Sequence, residues 1–294
     1  RWRNTVRLPW SVGTQSGENR HGKQPGNTVR AESLRRRNMY QIDLNSDMGE
    51  SFGAYSIGND DEIIKYVTTA NVACGWHGGD PIVMDKVVKK AAERKVAVGA
   101  HPGYPDLMGF GRRKMVLNPS EVKNYIKYQV GALMAFTASY GMKLQHVAPH
   151  GALGNLCQYD RDVSRAICEA VYEIDPSIRI FYCAGAVLGD EAEKMGLEAL
   201  SEIFADRAYM DDLSLVPRGM DGAMITDEDE AIRRCVKMIK EGKVTSVSGK
   251  ELDIKGDTLC VHGDGAKALA FVSRIRDAFE AEGIQINNFM GGRS

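Results

Sequence analysis

The sequence predicts an α/β fold in which parallel strands close, or nearly close, into a barrel. Three observations carry that prediction. Short apolar runs alternate with amphipathic helical patterns from residue 40 onward, the order that builds a parallel sheet covered by helices. Seven such runs occur, at 41–44, 69–73, 96–100, 146–148, 178–182, 199–204 and 259–261. Turns rich in Gly, Asp and His follow most of them at the same end, as in barrels whose functional loops share one rim. A doubly wound open sheet is the alternative packing of the same elements.

The helices between the runs have readable starts. Residues 60–66 begin the first. Asp80 and Pro81 open the second, because Asp accepts from the free N–H groups of a first turn and Pro suits the first helical position. Its inner face reads Val83, Val87, Val88 and Ala91. Asn118-Pro119-Ser120-Glu121 opens a third, with Ile126, Val130 and Leu133 along one face. Residues 160–171 and 190–195 make two more. Asp227-Glu228-Asp229-Glu230 places acids where the helix dipole favours them, ahead of Ile232, Val236 and Ile239, and Gly242 ends that helix. Residues 265–279 form the last. No linker interrupts residues 39–289, which read as one domain, and 290–294 read as a flexible tail.

The first 38 residues differ in kind. Nine Lys and Arg stand there against two acids, a net of +7, while the whole chain carries −1 and the remainder therefore −8. The segment lacks apolar periodicity and reads as disordered. A mis-assigned start or an added segment is the expected origin, with an Arg-rich organellar transit peptide as the alternative. The near-neutral total argues against nucleic-acid or membrane-surface partners, and no run approaches the ~20 apolar residues of a membrane span. The six cysteines show no CxxC spacing. Buried free thiols in a reducing, cytoplasmic compartment are expected.

Histidine placement carries the chemistry. Of six histidines, His77, His101, His150 and His262 each follow an apolar run and precede Gly or Pro. In a parallel barrel such positions converge on one rim. His146 enters a strand instead of leaving it, which favours a structural role. The first strand adds acids at the same end, with Asp43 and Asn45 sharing a face and Asp47 and Glu50 in the loop beyond. Carboxylates beside imidazoles serve as general bases, metal ligands or orienting groups. Arg112 and Arg113, in the long loop after the third run, suit bidentate binding of a carboxylate or phosphate. Asp80, Asp206, Arg207, Arg218 and Asp264 complete the candidate substrate-binding set. Cys74 lies three residues before His77, but its apolar run favours burial over nucleophilic work. No P-loop, dinucleotide fingerprint, HExxH or GxSxG elbow is present.

Seven blocks resemble the LamB/YcsF family, described as the A component of 5-oxoprolinase: DLNSDMGESFG at 43–53, ANVACGWHGGDP at 70–81, GAHPGYPDLMGFGRR at 99–113, PHGAL at 149–153, EIFADRAY at 202–209, LVPR at 215–218 and HGDG at 262–265. They span nearly all of residues 39–287. The resemblance implies an irregular (β/α)7 barrel similar to the polysaccharide deacetylases. It implies ATP-dependent opening of 5-oxoproline to L-glutamate, with ATP and Mg as co-substrate, B and C subunits as partners and self-association allowed. The named acids, histidines and arginines would then line the substrate pocket. Ala148 and Gly154 stand where the family commonly has Lys and Tyr, Leu213 where it has Gly, Trp76 where it has Phe and Gly79 where it has Ala.

On this reading Asp47 activates water, His150 or His262 protonates or stabilises the developing charge, and Arg112 or Arg113 holds a carboxylate or phosphate. The competing enzyme reading is a metal-dependent amidohydrolase or deacetylase with a divalent ion on Asp47, His77 and His101. A third is a substrate-binding subunit that is inactive by itself.

Overall fold

The computed structural model describes residues 40–261 and 268–289. The segment 1–38, His262, Asp264, the first residues of the last helical pattern and the tail 290–294 lie outside the described residues. The strands are β1 (Tyr40–Met48), β2 (Thr69–Ala73), β3 (Ala97–His101), β4 (His146–Val147), β5 (Arg179–Cys183), β6 (Ala199–Phe204), β7 (Lys243–Thr245), β8 (Glu251–Asp253), β9 (Thr258–Cys260) and β10 (Ile284–Ile286). The helices are α1 (Asp60–Ile63), α2 (Pro81–Arg94), α3 (Pro119–Ser139), α4 (Gly151–Leu156), α5 (Arg161–Ile174), α6 (Val187–Lys194), α7 (Glu228–Glu241) and α8 (Ala268–Ala281).

Strands β1 to β6 pair in chain order, all parallel. β9 then pairs with both β6 and β1, which closes a barrel of seven strands. Closure excludes the open-sheet alternative. Every residue of β2 and β3 is buried, as expected of strands with the barrel interior on one face and helices on the other. β10 runs beside Tyr40–Ile42 at the start of β1.

Helix starts follow the local chemistry. The Asp80 side chain accepts from Ile82 and Val83 N–H with Pro81 in the first turn. Asn118 and Glu121 form a reciprocal capping box. Asp227 accepts from Glu230 N–H, and Gly242, at φ 64°, ends α7 in the left-handed conformation. α5 packs between α3 and α6, burying Val163, Ile167 and Val171. Burial contributes roughly 1.5–3 kcal/mol for each, which outweighs the few tenths that β-branched residues cost a helix.

Two features have no counterpart among the predicted runs. β7 and β8 form an antiparallel hairpin, and β10 lies past the last helix. Each strand has three residues, too few for a period-two signal, so pairing rather than pattern creates them. α1 covers Asp60–Ile63, shorter than the expected 60–66. All six cysteines are free, five buried and Cys183 partly so. No helix among the described residues is long and apolar enough to cross a membrane.

Candidate active site

The C-terminal ends of β1 to β4 deliver the site. Asp47 lies at the end of β1, and a turn at Gly49 (φ 72°) leads to Glu50. The turn after β2 passes Gly75 (φ 88°) and returns His77, which is fully buried. His101 is the last residue of β3, and His150 is the extended residue that opens α4. The His77 and His150 rings stack with centroids 3.6 Å apart. The loop after β3 folds over them. A Cβ at Gly103 would lie 2.8 Å from His77 Nδ1, and one at Gly111 would lie 2.7 Å from His77 Cβ and 2.8 Å from His150 Cδ2. Only glycine lets that backbone approach so closely.

The hydrogen bonds count the protons. His101 Nδ1 lies 2.7 Å from Ala148 O, and His150 Nε2 lies 2.8 Å from Phe110 O. A carbonyl only accepts, so both nitrogens carry hydrogen. His150 Nδ1 and His101 Nε2 are 2.9 Å apart, and that contact needs a third proton between them. Three protons on two rings make one imidazolium. Burial opposes charge on His101, but Asp47, with Oδ2 at 3.4 Å, outweighs it and raises the pKa to about 9. Burial and the positive His101 push His150 down to about 3. The charge therefore sits on His101, whose Nε2–H donates to His150. His77, driven well below its ordinary range by burial and the neighbouring imidazoles, is neutral, with Nε2 3.3 Å from Glu50 Oε1.

Several candidates have other work. Asp43 lies inside the barrel, not on the rim. It accepts from Thr68 (2.8 Å), Thr69 (2.5 Å) and Thr258 (2.6 Å), tying β1 to β2 and β9. Burial raises its pKa against the pull of those hydroxyls. Asn45 is also internal, donating to Thr258 and accepting from Asn71. Asp80 caps α2 with one oxygen and accepts Gly53 N–H at 2.8 Å with the other. Asp43, Asn45 and Asp80 are thus each held by structural partners within the barrel or at the start of α2.

The paired arginines divide. Arg113, with a 68% exposed side chain, is paired with Asp106, Nε to Oδ1 at 2.8 Å. Arg112 lies over the Phe110 ring at 4.9 Å, and its charge acts on His77 and His150. Arg207 is buried and donates to Val216 O at 2.6 Å, its pKa lowered by burial and by Arg218. The Asp206 charge reaches Arg207 and Cys260.

Three residues lay outside the candidate set. Glu202, on β6, is in register with Cys183 and Thr258 and only 8% exposed. After burial, its charge is the next cause raising the Cys183 thiol, and it helps raise Cys260. Asn71, on β2, touches Asp47, and His146 touches Asn71. A polar residue inside an otherwise apolar run was the available signal for Glu202 and Asn71. Cys74 is buried with its thiol pushed up to about 12, which suits packing rather than nucleophilic attack. Ala148, the position of the family lysine, packs its methyl against Phe181, Leu200 and Phe289.

One ligand atom from each of Glu50, His77, His101 and His150 lies within 4.8 Å of the others, a donor set of the kind that takes divalent transition metals. The grouping holds Glu50 and His150 in place of the Asp47 expected from sequence. The 2.9 Å between His101 and His150 nitrogens is a hydrogen-bond length. Two ligands on tetrahedral zinc would stand about 3.3 Å apart.

Fold and site define a class: a closed parallel (β/α)7 barrel with carboxylates and imidazoles gathered on its C-terminal rim. Within that class the chain belongs to the LamB/YcsF family, whose model matches residues 42–293. It is 55% identical over 248 residues to the A component of 5-oxoprolinase from Alkaliphilus metalliredigens, covering 84% of this chain and 97% of that protein. The same component from Pyrococcus horikoshii is 52% identical over 84% of this chain and 96% of its own length. A crystal structure of the lactam utilization protein from Thermus thermophilus superposes with a TM-score of 0.80 at 45% identity, over 85% of this chain and all of that one. A putative cellobiose-phosphate cleavage protein from Enterococcus faecalis shares the fold alone, with a TM-score of 0.52 at 14% identity, over 86% of this chain and 98% of that one.

Proposed function

We propose that this chain is the barrel component of an ATP-dependent 5-oxoprolinase, a cytoplasmic enzyme completed by B and C subunits, and that its rim opens 5-oxoproline to L-glutamate. The observation that carries the proposal is the His101–His150 pair holding three protons beside the Asp47 carboxylate. Acid and base stand in contact, as hydrolysis of an amide requires. The relatives named above, matched over nearly their whole length, support the substrate.

A lactam carbonyl resists attack because amide resonance stabilises it. ATP, with Mg, supplies the phosphoryl group that ties up the lactam oxygen and weakens that resonance. Asp47 takes a proton from water as the water oxygen bonds to the ring carbon. The carbon–nitrogen bond breaks, the ring nitrogen receives the proton shared by His101 and His150, and a second water hydrolyses the acyl phosphate so formed, giving L-glutamate and inorganic phosphate beside the ADP left by the phosphoryl transfer. Glu50 holds the stacked His77 and His150 imidazoles in place, and Arg112 faces the substrate carboxylate. Asp206, Arg207 and Arg218, on the chain after β6, are assigned to substrate binding in the same proposal.

The test is glutamate release from 5-oxoproline, by the chain alone and with B and C subunits, with and without ATP. Release only with ATP and partners is expected. Turnover by the lone chain without ATP would sink the proposal. Ala148→Lys, run in parallel, measures what the missing lysine contributes.

The four-residue donor set favours a second reading, a metal-dependent amidohydrolase. A bound divalent ion would lower the pKa of water, with Glu50, His77, His101 and His150 as its holders. Elemental analysis of purified protein decides: stoichiometric zinc or manganese, with activity lost on chelation and no need for ATP, selects this reading over the first.

A further inference from the structure

We infer that Asn71 and His146 form a positioning pair for Asp47, holding its carboxylate in the orientation that the acid–base chemistry uses; the inference rests on the role proposed for Asp47 above. Asn71 gives both protons of its amide nitrogen away, to Asn45 Oδ1 at 2.8 Å and to Asp47 Oδ1 at 2.9 Å. Its own carbonyl oxygen stands 2.7 Å from His146 Nε2. With the amide nitrogen committed to two acceptors, Nε2 is the donor in that contact. One Asp47 oxygen is thereby fixed, and the other is left facing His101 at 3.4 Å.

The imidazole is seated in a slot made for a flat ring. His146 is fully buried. It lies on the Phe181 ring with centroids 3.7 Å apart and planes 8° from parallel. On β3, a Cβ at Gly99 would fall 2.0–2.3 Å from three atoms of the ring. Any side chain there would expel it.

The Nε2–H decides which way the Asn71 amide points. Without it, a flipped amide would leave Asn71 Oδ1 against Asp47 Oδ1, oxygen to oxygen, and the carboxylate would turn. Burying such a group without its hydrogen bond is enough to shift the population of carboxylate orientations by about fivefold to a hundredfold. A barrel that needed only packing at this position would be served by an apolar side chain.

The assay uses the chain assembled with B and C subunits. His146→Leu removes the donor, and His146→Gln offers an amide N–H in its place. The expected result is a fall in kcat of about a hundredfold for His146→Leu, the scale of small displacements at a reacting centre. KM should stay within about twofold of wild type, and His146→Gln should regain most of kcat. Unchanged kcat in His146→Leu, or equal losses in the Leu and Gln variants, overturns the pairing. If the wild-type assembly releases no glutamate, the functional reading has failed, and nitrogen-15 NMR of the chain alone judges the pair. His146→Leu should then shift the Asn71 side-chain amide resonances, because the donor to the Asn71 carbonyl is gone, while His146→Gln should leave them near their wild-type positions. Unmoved Asn71 amide resonances in His146→Leu overturn the pairing on that arm.

Discussion

The two sides of the barrel interior are built differently. From β1 to β4 the inward residues are Asp43, Asn45, Asp47, Asn71, His101 and His146, most of them linked strand to strand by hydrogen bonds. On β5 and β6 the buried cluster is Phe181 and Leu200, joined by Ala148 and Phe289, with Glu202 the one buried carboxylate further along the Leu200 face of β6. The apolar side gains stability from contact area, which sets shape but tolerates small rotations. The polar side gains little net stability from each bond but loses much if one partner is absent, so it fixes orientation. The proposed chemistry falls where orientation is fixed, and the Phe181 wall holds the His146 ring behind it.

Asp47→Asn strikes the polar side hardest. It should lower kcat for glutamate release by about 10²–10⁴-fold, the range of a lost general base, with the thermal midpoint little changed. Retained activity would show that the polar side has no catalytic part.

The apolar wall should respond in stability instead. Phe181→Ala should cost about 3–5 kcal/mol in denaturant unfolding through the cavity it leaves. A loss below about 1 kcal/mol would mean that the wall is not packed as described.

Acid should discriminate between the sides. His77, His146 and His150 are all held below their ordinary range by burial. Below pH ~6.5 the unfolded chain binds protons that the folded chain does not, so stability falls as pH drops, by up to about 1.4 kcal/mol per pH unit for each group. His101, raised to about 9, has the reverse sign. Its contribution is complete below ~6.5 and fades as pH rises through its folded value. Thermal midpoints between pH 4 and 10, measured with chelator present, should peak near neutrality. A flat profile below pH 6.5 would contradict burial of the three neutral rings.

A subtler contrast separates two neighbours. Arg112→Ala should raise KM several-fold. Arg113→Ala should leave kinetics unchanged and cost no more than about 1 kcal/mol, because its partnership with Asp106 is on the surface. Equal effects on KM would return Arg113 to the substrate.

Much of this was legible beforehand, for a local reason. A histidine or acid just past an apolar run lands on the rim of a parallel barrel, and His77, His101 and His150 do meet there, with His262 outside the described residues. Asp80 reads two ways because a helix cap and a site acid look alike in sequence: both are Asp before a helix, and the fold shows it capping α2. Arg112 and Arg113 are adjacent, and only the fold of the loop turns one toward Asp106. The hairpin of β7 and β8 and the strand β10 were illegible because three residues carry no period.

The order of strands and helices, the helix caps and the chain positions that supply rim chemistry were written into the sequence, since these depend on neighbours within a few residues. It took the folded barrel to put the charge on His101, to make Asp43 and Asn45 internal struts, and to stand Asn71 and His146 behind Asp47. Those outcomes depend on burial and on partners 24 to 215 residues apart, which come together only when β9 closes the barrel against β1.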